Sequence, residues 1–272
     1  PRVSKVKFPL IEDIKKEIDK TQIIILAGGS AKRMGQINKP KALLEISKDF
    51  TLLDYEINLF KNCGFRDFIF LLGKYHEQII EHLERKRYYK EINIEISIDK
   101  EEGFGKGKAL KWAIMNKKID FKKRAIISFP DDLKLDKFLP LKLLIEHSQN
   151  VSKFGIVGTV TLTNGIEFPF GVAIINESGK IVKFIEKPLM NTLTSIGLYC
   201  FEPEIYDIID RQIDLYSKGA IEFEDVILPL LAQEGKLKAF IVDHSIWIPI
   251  NDLKAYEKAK KIFEGYLINI NA

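Results

Sequence analysis

Apolar and polar positions alternate with two different rhythms along the chain. Gln22 to Ala27 (QIIILA) is an almost unbroken apolar run and reads as a strand covered on both faces, since a strand with one wet face would alternate. DFIFLLG, INIEISI and RAIISF repeat the strand signal. Between them TLLDYEINLFKNCGF (ending near Gly64), YHEQIIEHLERKR and KALKWAIMNKK carry apolar residues at helical spacing. This alternation over residues 22 to 150 predicts an α/β fold: a parallel sheet with helices on both faces. Ahead of it Ile11, Ile14 and Ile18 predict a helical extension within residues 1–20, serving packing or self-association. After residue 150 the rhythm changes. FGIVGTVTLT, GVAIIN, KIVKFIE and SIGLYCF are strand-like with few helices between, which predicts antiparallel additions to the same sheet or a small lobe. Helices are expected near residues 203–210, 222–233 and 252–266. With no repeats and no Pro-, Gly- or Ser-rich linker, residues 21–272 are expected to form one domain with halves at 21–150 and 151–272.

Composition narrows the partners. A chain of 272 residues with 46% hydrophobic content can bury a sizeable core. Its 42 basic residues are interleaved with 38 acidic ones for a net charge of +4, so nucleic acid is not the expected partner. Cys63 and Cys200 lie far apart without CxxC or histidine neighbours, which suggests neither zinc nor a disulfide framework and fits a reducing, cytoplasmic compartment. The N-terminal apolar piece FPLI is too short for a signal-peptide core, and no later run reaches membrane length, so no membrane association is expected. His76, His82, His147 and His244 have no metal-ligand spacing and read as structural.

The most informative stretch is LAGGSAKRMGQINKPKALLE, residues 26–45. Gly28 and Gly29 end the first strand. Lacking a Cβ, both can take positive φ and let a ligand approach main-chain N–H groups. Arg33 and Lys41 bring positive charge to the same mouth, and Pro40 fixes the backbone before Lys41. A glycine turn alone would be an ordinary loop, whereas this ordered set points to a bound polyanion. The spacing matches neither GxGxxG nor GxxxxGK[ST]. Asp131 and Asp132 follow the strand RAIISF at the edge where such a sheet opens, well placed to hold Mg²⁺ against phosphate oxygens or, alternatively, to cap a turn. GFGKGKAL (103–110) is a glycine-rich lead into a helix.

These motifs in this order resemble those of the sugar-1-phosphate nucleotidyltransferases, whose pattern runs LAGGxGTRLxP…PKxLLPV. Ala31 and Lys32 stand at its Gly and Thr, and Met34 at its Leu; SAKRM is also similar to cytidylyl- and guanylyltransferases of cofactor synthesis. The resemblance spans about residues 22 to 266. It implies a Rossmann-like three-layer nucleotidyltransferase fold with a mixed, mostly parallel sheet, a nucleotide half (21–150) and a sugar-phosphate half (151–272). It implies that Ala27, Gly28, Gly29 and Gly105 bind nucleotide, that Arg33 and Lys41 act on the triphosphate, and that Asp131 holds Mg²⁺ with Asp132 as fallback. FGV at 170–172 and EKP at 186–188 are similar to YGVV…EKP, so Gly171 and Glu186 would contact the sugar and Lys187 its phosphate. SIGLYCF is similar to NAGxYxF. HSIWIPINDLKAYEKA aligns with WxDIGTPxDYxxA, placing Pro249 at a metal-binding Asp, with Asn251 or Asp252 as substitutes.

The implied reaction joins a nucleoside triphosphate to a sugar 1-phosphate and releases pyrophosphate, in a positively charged pocket. Three rivals are a nucleotidyltransferase with another phosphate acceptor, a noncatalytic nucleotide or sugar-phosphate sensor, and a glycosyltransferase, the last disfavoured because Asp131-Asp132-Leu133 is not DxD. The chain ends soon after its last helix, so no appended acyltransferase or repeat-built domain is expected. The N-terminal helix and YLINI could support a homo-oligomer.

Overall fold

The computed structural model describes residues 11–31, 35 and 38–270; Arg33, Lys32 and Met34 lie outside the described residues, as do residues 1–10. In chain order the elements are α1 (Ile11–Asp19), β1 (Thr21–Leu26), β2 (Glu45–Ser47), β3 (Phe50–Thr51), α2 (Leu52–Asn62), β4 (Asp67–Leu72), α3 (His76–Arg85), β5 (Asn93–Ile98), α4 (Gly105–Met115), β6 (Arg124–Ser128), β7 (Asp132–Lys134) and α5 (Leu139–Phe154). The second half adds β8 (Gly158–Thr163), β9 (Ile166–Glu167), β10 (Val172–Ile175), β11 (Ile181–Ile185), β12 (Leu189–Met190), β13 (Thr194–Phe201), α6 (Glu204–Gln212), α7 (Phe223–Gln233), β14 (Leu237–Val242), β15 (Trp247–Pro249) and α8 (Leu253–Ile270).

Seven strands form one sheet in the order β14-β8-β13-β6-β1-β4-β5. β1 pairs in parallel with β4 and β6, β4 with β5, and β14 with β8, while β13 runs antiparallel to both β6 and β8. The sheet is therefore mixed and mostly parallel, with one reversed strand joining the contributions of the two halves. Successive residues of β1 feed opposite faces, as a pleated strand requires. Ile23 and Ile25 pack with Leu53, Ile57, Leu83 and Leu143 from α2, α3 and α5. Ile24 and Leu26 pack with Leu110, Ile205, Ile209 and Ile227 from α4, α6 and α7. This gives three layers.

Of the two expectations for the second half, each holds for part of it: β8 and β13 join the sheet, whereas β10 and β11 pair only with each other as an antiparallel ribbon. The ribbon is nearly all exposed, with Ile175, Val182 and Phe184 each more than half open to solvent. α5 and the edge strand β14 are additional elements that the apolar pattern did not single out. A third small core, built around Leu44, Leu133, Ile250 and Tyr256, seats α8 against β2, β7 and β15.

α1 docks on its own chain. Ile18 joins the first core, Glu17 pairs with Arg124 at the start of β6, and Arg124 also pairs with Glu202 after β13. His147 completes this cluster through Thr159 (2.8 Å) and Glu202 (3.0 Å), a structural role as expected. YLINI falls where side chains are not described. No helix among the described residues is long and apolar enough to cross a membrane.

Candidate functional site

A cleft of about 620 Å³ opens at the carboxyl ends of the central strands. It lies where the chain, having laid β4 and β5 on one side of β1, crosses to place β6 on the other, the topological switch at which open α/β sheets bind ligands. Gly28 and Gly29 line it as the chain leaves β1. Neither has positive φ, contrary to the conformational freedom read from the sequence. Gly28 is instead needed for contact between strand ends. A Cβ on Gly28 would sit 3.3 Å from the Gly73 nitrogen, and one on Gly73 would sit 3.0 Å from the Gly28 carbonyl oxygen. Gly29 differs, since a Cβ there meets nothing within 4 Å. Ala27 is buried, its N–H donating to Leu71, and does not line the cleft.

The basic segment folds back onto this turn. Pro40 sits at φ −66° and opens a short 3₁₀ turn, Lys41–Leu43, while the Lys41 N–H donates to the Gly29 carbonyl at 3.0 Å. The Lys41 ammonium then reaches Asp131 Oδ2 at 2.7 Å, tying the mouth of β1 to the end of β6. Asp132 is the more enclosed of the two carboxylates. Its Oδ1 accepts from Trp247 Nε1 at 2.9 Å, and burial, aided by the neighbouring Asp131 charge, pushes its carboxyl up to about 6.

β15 runs antiparallel to β7 with Pro249 opposite Asp132, and Ile250 N–H donates to the Asp131 carbonyl at 2.8 Å. Position 249 thus lies beside the carboxylate pair while offering no ligand oxygen. Asn251 lines the cleft. Asp252 caps α8, accepting from the Ala255 N–H at 2.8 Å, and is not part of the lining. Among the described residues no group of three or more His, Cys, Asp or Glu could hold a metal. The adjacent carboxylates of Asp131 and Asp132 are nonetheless hard oxygen donors of the kind that would hold a divalent cation.

Beneath this turn lies an ion pair that the sequence reading missed. Lys134 is fully buried and donates to Glu56 Oε1 (2.9 Å), Ser128 Oγ (2.7 Å) and the Phe129 carbonyl (2.8 Å). Burial raises the Glu56 carboxyl against the pull of Lys134, and Glu56 Oε2 has no partner among the described residues. By holding Phe129, Lys134 fixes the backbone just before Asp131. A lysine between Leu133 and Leu135 at a strand position was the only available signal.

The opposite wall is the glycine-rich loop. Gly105 opens α4 at φ +79°, and a Cβ there would lie 2.6 Å from the Ile221 carbonyl oxygen, so the position requires glycine for both reasons. Lys106 bonds Glu224 (2.5 Å) and Glu222 (3.4 Å); these bonds outweigh the effect of burial and hold its ammonium above the ordinary range. Lys108 turns away from the cleft, buried, and donates to the Ser217 carbonyl at 2.5 Å. Asp99, which the sequence reading did not single out by itself, lines the cleft near Gly28 and Gly73. Among the described residues the lining holds seven carboxylates against two lysines, Lys74 and Lys106. Among the described residues Lys41 and Lys106 are already paired with carboxylates and Lys108 points elsewhere, so positive charge at the cleft mouth would have to come from Lys32 and Arg33, which lie outside the described residues.

The residues expected to hold the sugar phosphate are not in the cleft lining. Gly171 and Glu186 meet across the ribbon, where a Cβ on Gly171 would lie 2.9 Å from Glu186 Oε2 and 2.4 Å from the Phe184 ring. Lys187 follows in left-handed conformation at φ +47°. All three are exposed. Ser195 and Tyr199 of β13, hydrogen-bonded to each other at 3.0 Å, line the cleft instead.

Known proteins resemble this chain in sequence and in fold. The glucose-1-phosphate adenylyltransferase of Francisella tularensis subsp. mediasiatica (strain FSC147) is 24% identical over 247 residues, covering 81% of this chain and 56% of the relative. The mannose-1-phosphate guanylyltransferase catalytic subunit beta of Drosophila melanogaster is 26% identical over 243 residues, covering 87% and 61%. The chain thus spans little more than half the length of these curated relatives. A Bacillus anthracis crystal structure with sucrose, described as a glucose-1-phosphate thymidylyltransferase, superposes with a TM-score of 0.66 at 20% identity, covering 89% of this chain and 94% of that one, and shows the same fold. The family model for nucleotidyl transferases matches residues 22–264, nearly the whole described sheet and the cleft at its edge, so the chain belongs to the nucleotidyl transferase family.

Proposed function

We propose that the protein joins a nucleoside triphosphate to a sugar 1-phosphate, giving a nucleotide sugar and pyrophosphate. The observation that carries this reading is the Lys41–Asp131 pair at the switch point, set beside the Gly28–Gly29 turn in a chain of this family. A phosphate oxygen of the sugar phosphate attacks the α-phosphorus in line, forming one P–O bond as the bond to pyrophosphate breaks. The attacking oxygen is already anionic, so no general base is required and catalysis reduces to positioning and charge neutralisation.

Gly29 leaves room for the triphosphate against the main chain. Lys41 is assigned to the α-phosphate, and Arg33 to the β and γ phosphates, where charge builds as pyrophosphate leaves. Asp131, with Asp132 beside it, would hold Mg²⁺, which when bound neutralises triphosphate oxygens. This role matters here because the lining is rich in carboxylates. Glu186 and Lys187 are assigned to the sugar phosphate, which requires the ribbon to approach the cleft. A cytoplasmic setting suits both substrates.

Pyrophosphate release from a panel of triphosphates and sugar 1-phosphates tests the reading. Activity is expected with one pairing, lost on chelation with EDTA and restored by Mg²⁺. Lys41→Ala is expected to lower kcat about 100-fold, the usual effect of deleting one charge-stabilising donor, and Arg33→Ala to act alike with little change in Tm. Unchanged turnover in both variants would remove the assignment. Pro249, standing opposite Asp132 where the resemblance expects a carboxylate, favours one second reading, a nucleotide-binding sensor. A sensor would bind triphosphate and release no pyrophosphate.

A further inference from the structure

A half-buried carboxylate in the cleft, Asp99, has no partner among the described residues. Asp99 follows the last residue of β5, its N–H tied to the Leu72 carbonyl at 2.8 Å, so its position is set by the sheet. Its side chain has no hydrogen bond or ion pair among the described residues. Lys74, which follows Gly73, is held by both oxygens of Glu102 at 3.0 Å, and Lys100 lies over the Trp112 ring at 5.9 Å. Asp99 Oδ2 would lie 3.5 Å from a Cβ on Gly73 and 3.7 Å from one on Gly28, so it looks onto the bare main chain of the glycine platform. Asp99 is half-buried, and burial alone pushes its carboxyl up to about 7, so it needs hydrogen-bond donors from a ligand to be held as the carboxylate.

We infer that Asp99 reads the Watson–Crick edge of the bound base and selects guanine. This inference rests on the nucleotide-binding reading above. Sheet order supplies the geometry. Lys41 and Asp131 mark the phosphate end beside β6, and Asp99 stands three strand spacings away beyond β1 and β4, about 14 Å across the cleft. The base edge is the part of a nucleotide farthest from its phosphates, and the ribose lies between. A carboxylate presents two acceptors side by side. Guanine alone among the common bases answers with two adjacent donors, N1–H and the 2-amino group. Adenine, cytosine, uracil and thymine each place an acceptor beside a donor, which would set a lone pair against one carboxylate oxygen. Buried donors and acceptors discriminate strongly against a partner that leaves them unpaired. Relatives named for adenylyl, guanylyl and thymidylyl transfer leave the base open, and Asp99 decides it.

The test is equilibrium binding of GTP, ITP, dGTP, ATP, UTP, CTP and dTTP with Mg²⁺ to the full chain and to Asp99→Asn. Asparagine keeps the shape but replaces one acceptor with a donor. Tm is expected to be unchanged or higher, because no partner is lost. The parent is expected to bind GTP about 10- to 100-fold more tightly than ATP, CTP, UTP or dTTP, and at least about tenfold more tightly than ITP, which lacks the 2-amino group. Asp99→Asn should erase the difference between GTP and ITP while leaving ATP binding equal or stronger. A parent that prefers another base, or a variant that still separates GTP from ITP, overturns the inference and leaves the nucleotide-binding reading intact. If the variant instead ceases to separate GTP from dGTP, Asp99 is a ribose ligand and the base assignment fails. Binding of no triphosphate by the parent overturns both.

Discussion

Gly28 and Gly29 are adjacent glycines with opposite reasons to be glycine. At Gly73, the partner of Gly28, a methyl group would push on backbone at 3.0 Å, which no side-chain adjustment can relieve. Gly73→Ala is expected to lower stability by about 1–3 kcal/mol, read as a drop in Tm. Gly29→Ala should cost under about 0.5 kcal/mol, because its φ is ordinary and its surroundings open, yet weaken triphosphate binding by filling the cleft. Equal effects of the two substitutions on Tm would contradict the distinction. The cysteines give a simpler test. Burial pushes the Cys63 thiol up to about 11 and raises Cys200 further, so neither forms a thiolate near neutral pH. Ellman's reagent should find no reactive thiol in the native protein and two after denaturation. At this scale the sequence revealed which residues matter more readily than why. The LAGG and KPK motifs marked the turn, whereas the packing of Gly28 on Gly73, the loss of Lys108 to Ser217 and the isolation of Asp99 depend on neighbours remote in sequence.

Among the elements, α2 shows how one buried acid can organise several segments. Asp54 closes a capping box with Thr51 at the helix start and also accepts from His82 Nε2 (2.9 Å) and the Tyr88 hydroxyl (2.6 Å). Burial would raise its carboxyl, but these hydrogen bonds outweigh it and hold it at about 2, below the ordinary 3.8. A folded-state value depressed below the unfolded one adds stability above about pH 3.8, and that stability is lost as pH falls through about 2. Asp54→Asn is therefore expected to cost about 2 kcal/mol at pH 7, with the gap to the parent closing as urea melts are repeated toward pH 2. A gap independent of pH would mean that the charge is not the source. Element types were legible wherever burial imposed a rhythm, as in QIIILA, DFIFLL and RAIIS. β14 was not, because an edge strand with alternate half-exposed residues after a helix carries a weak pattern. The β10–β11 ribbon read as strands, but nothing local told that it would leave the sheet.

Across the whole molecule, the two ends of the sheet are held differently. The end away from the cleft is pinned by Glu17, Arg124, Glu202 and His147, which join α1, β6, β13 and α5. The cleft end is crowded with carboxylates, and Gly171, Glu186 and Lys187 of the ribbon stand outside its lining. If these residues take the sugar phosphate, backbone amide exchange over residues 166–190 should slow when triphosphate, sugar 1-phosphate and Mg²⁺ are present together, and stay fast with either substrate alone. Unaltered exchange under all conditions would assign the sugar phosphate to other residues, such as Ser195 and Tyr199. The seven-strand order was legible only as a class, because β13 and β6 are brought together across some seventy residues whose pairing no local pattern encodes.

The tip of that ribbon, Asn176 to Lys180, closes on itself. Asn176 N–H donates to the Lys180 carbonyl, and the Asn176 carboxamide oxygen accepts from the N–H groups of Ser178 and Lys180, all in solvent. It borrows nothing from the core and lends nothing to it. A circularly permuted fluorescent protein spliced there would leave the sheet undisturbed while riding on the arm assigned to the sugar phosphate, turning the chain into an optical gauge of that ligand.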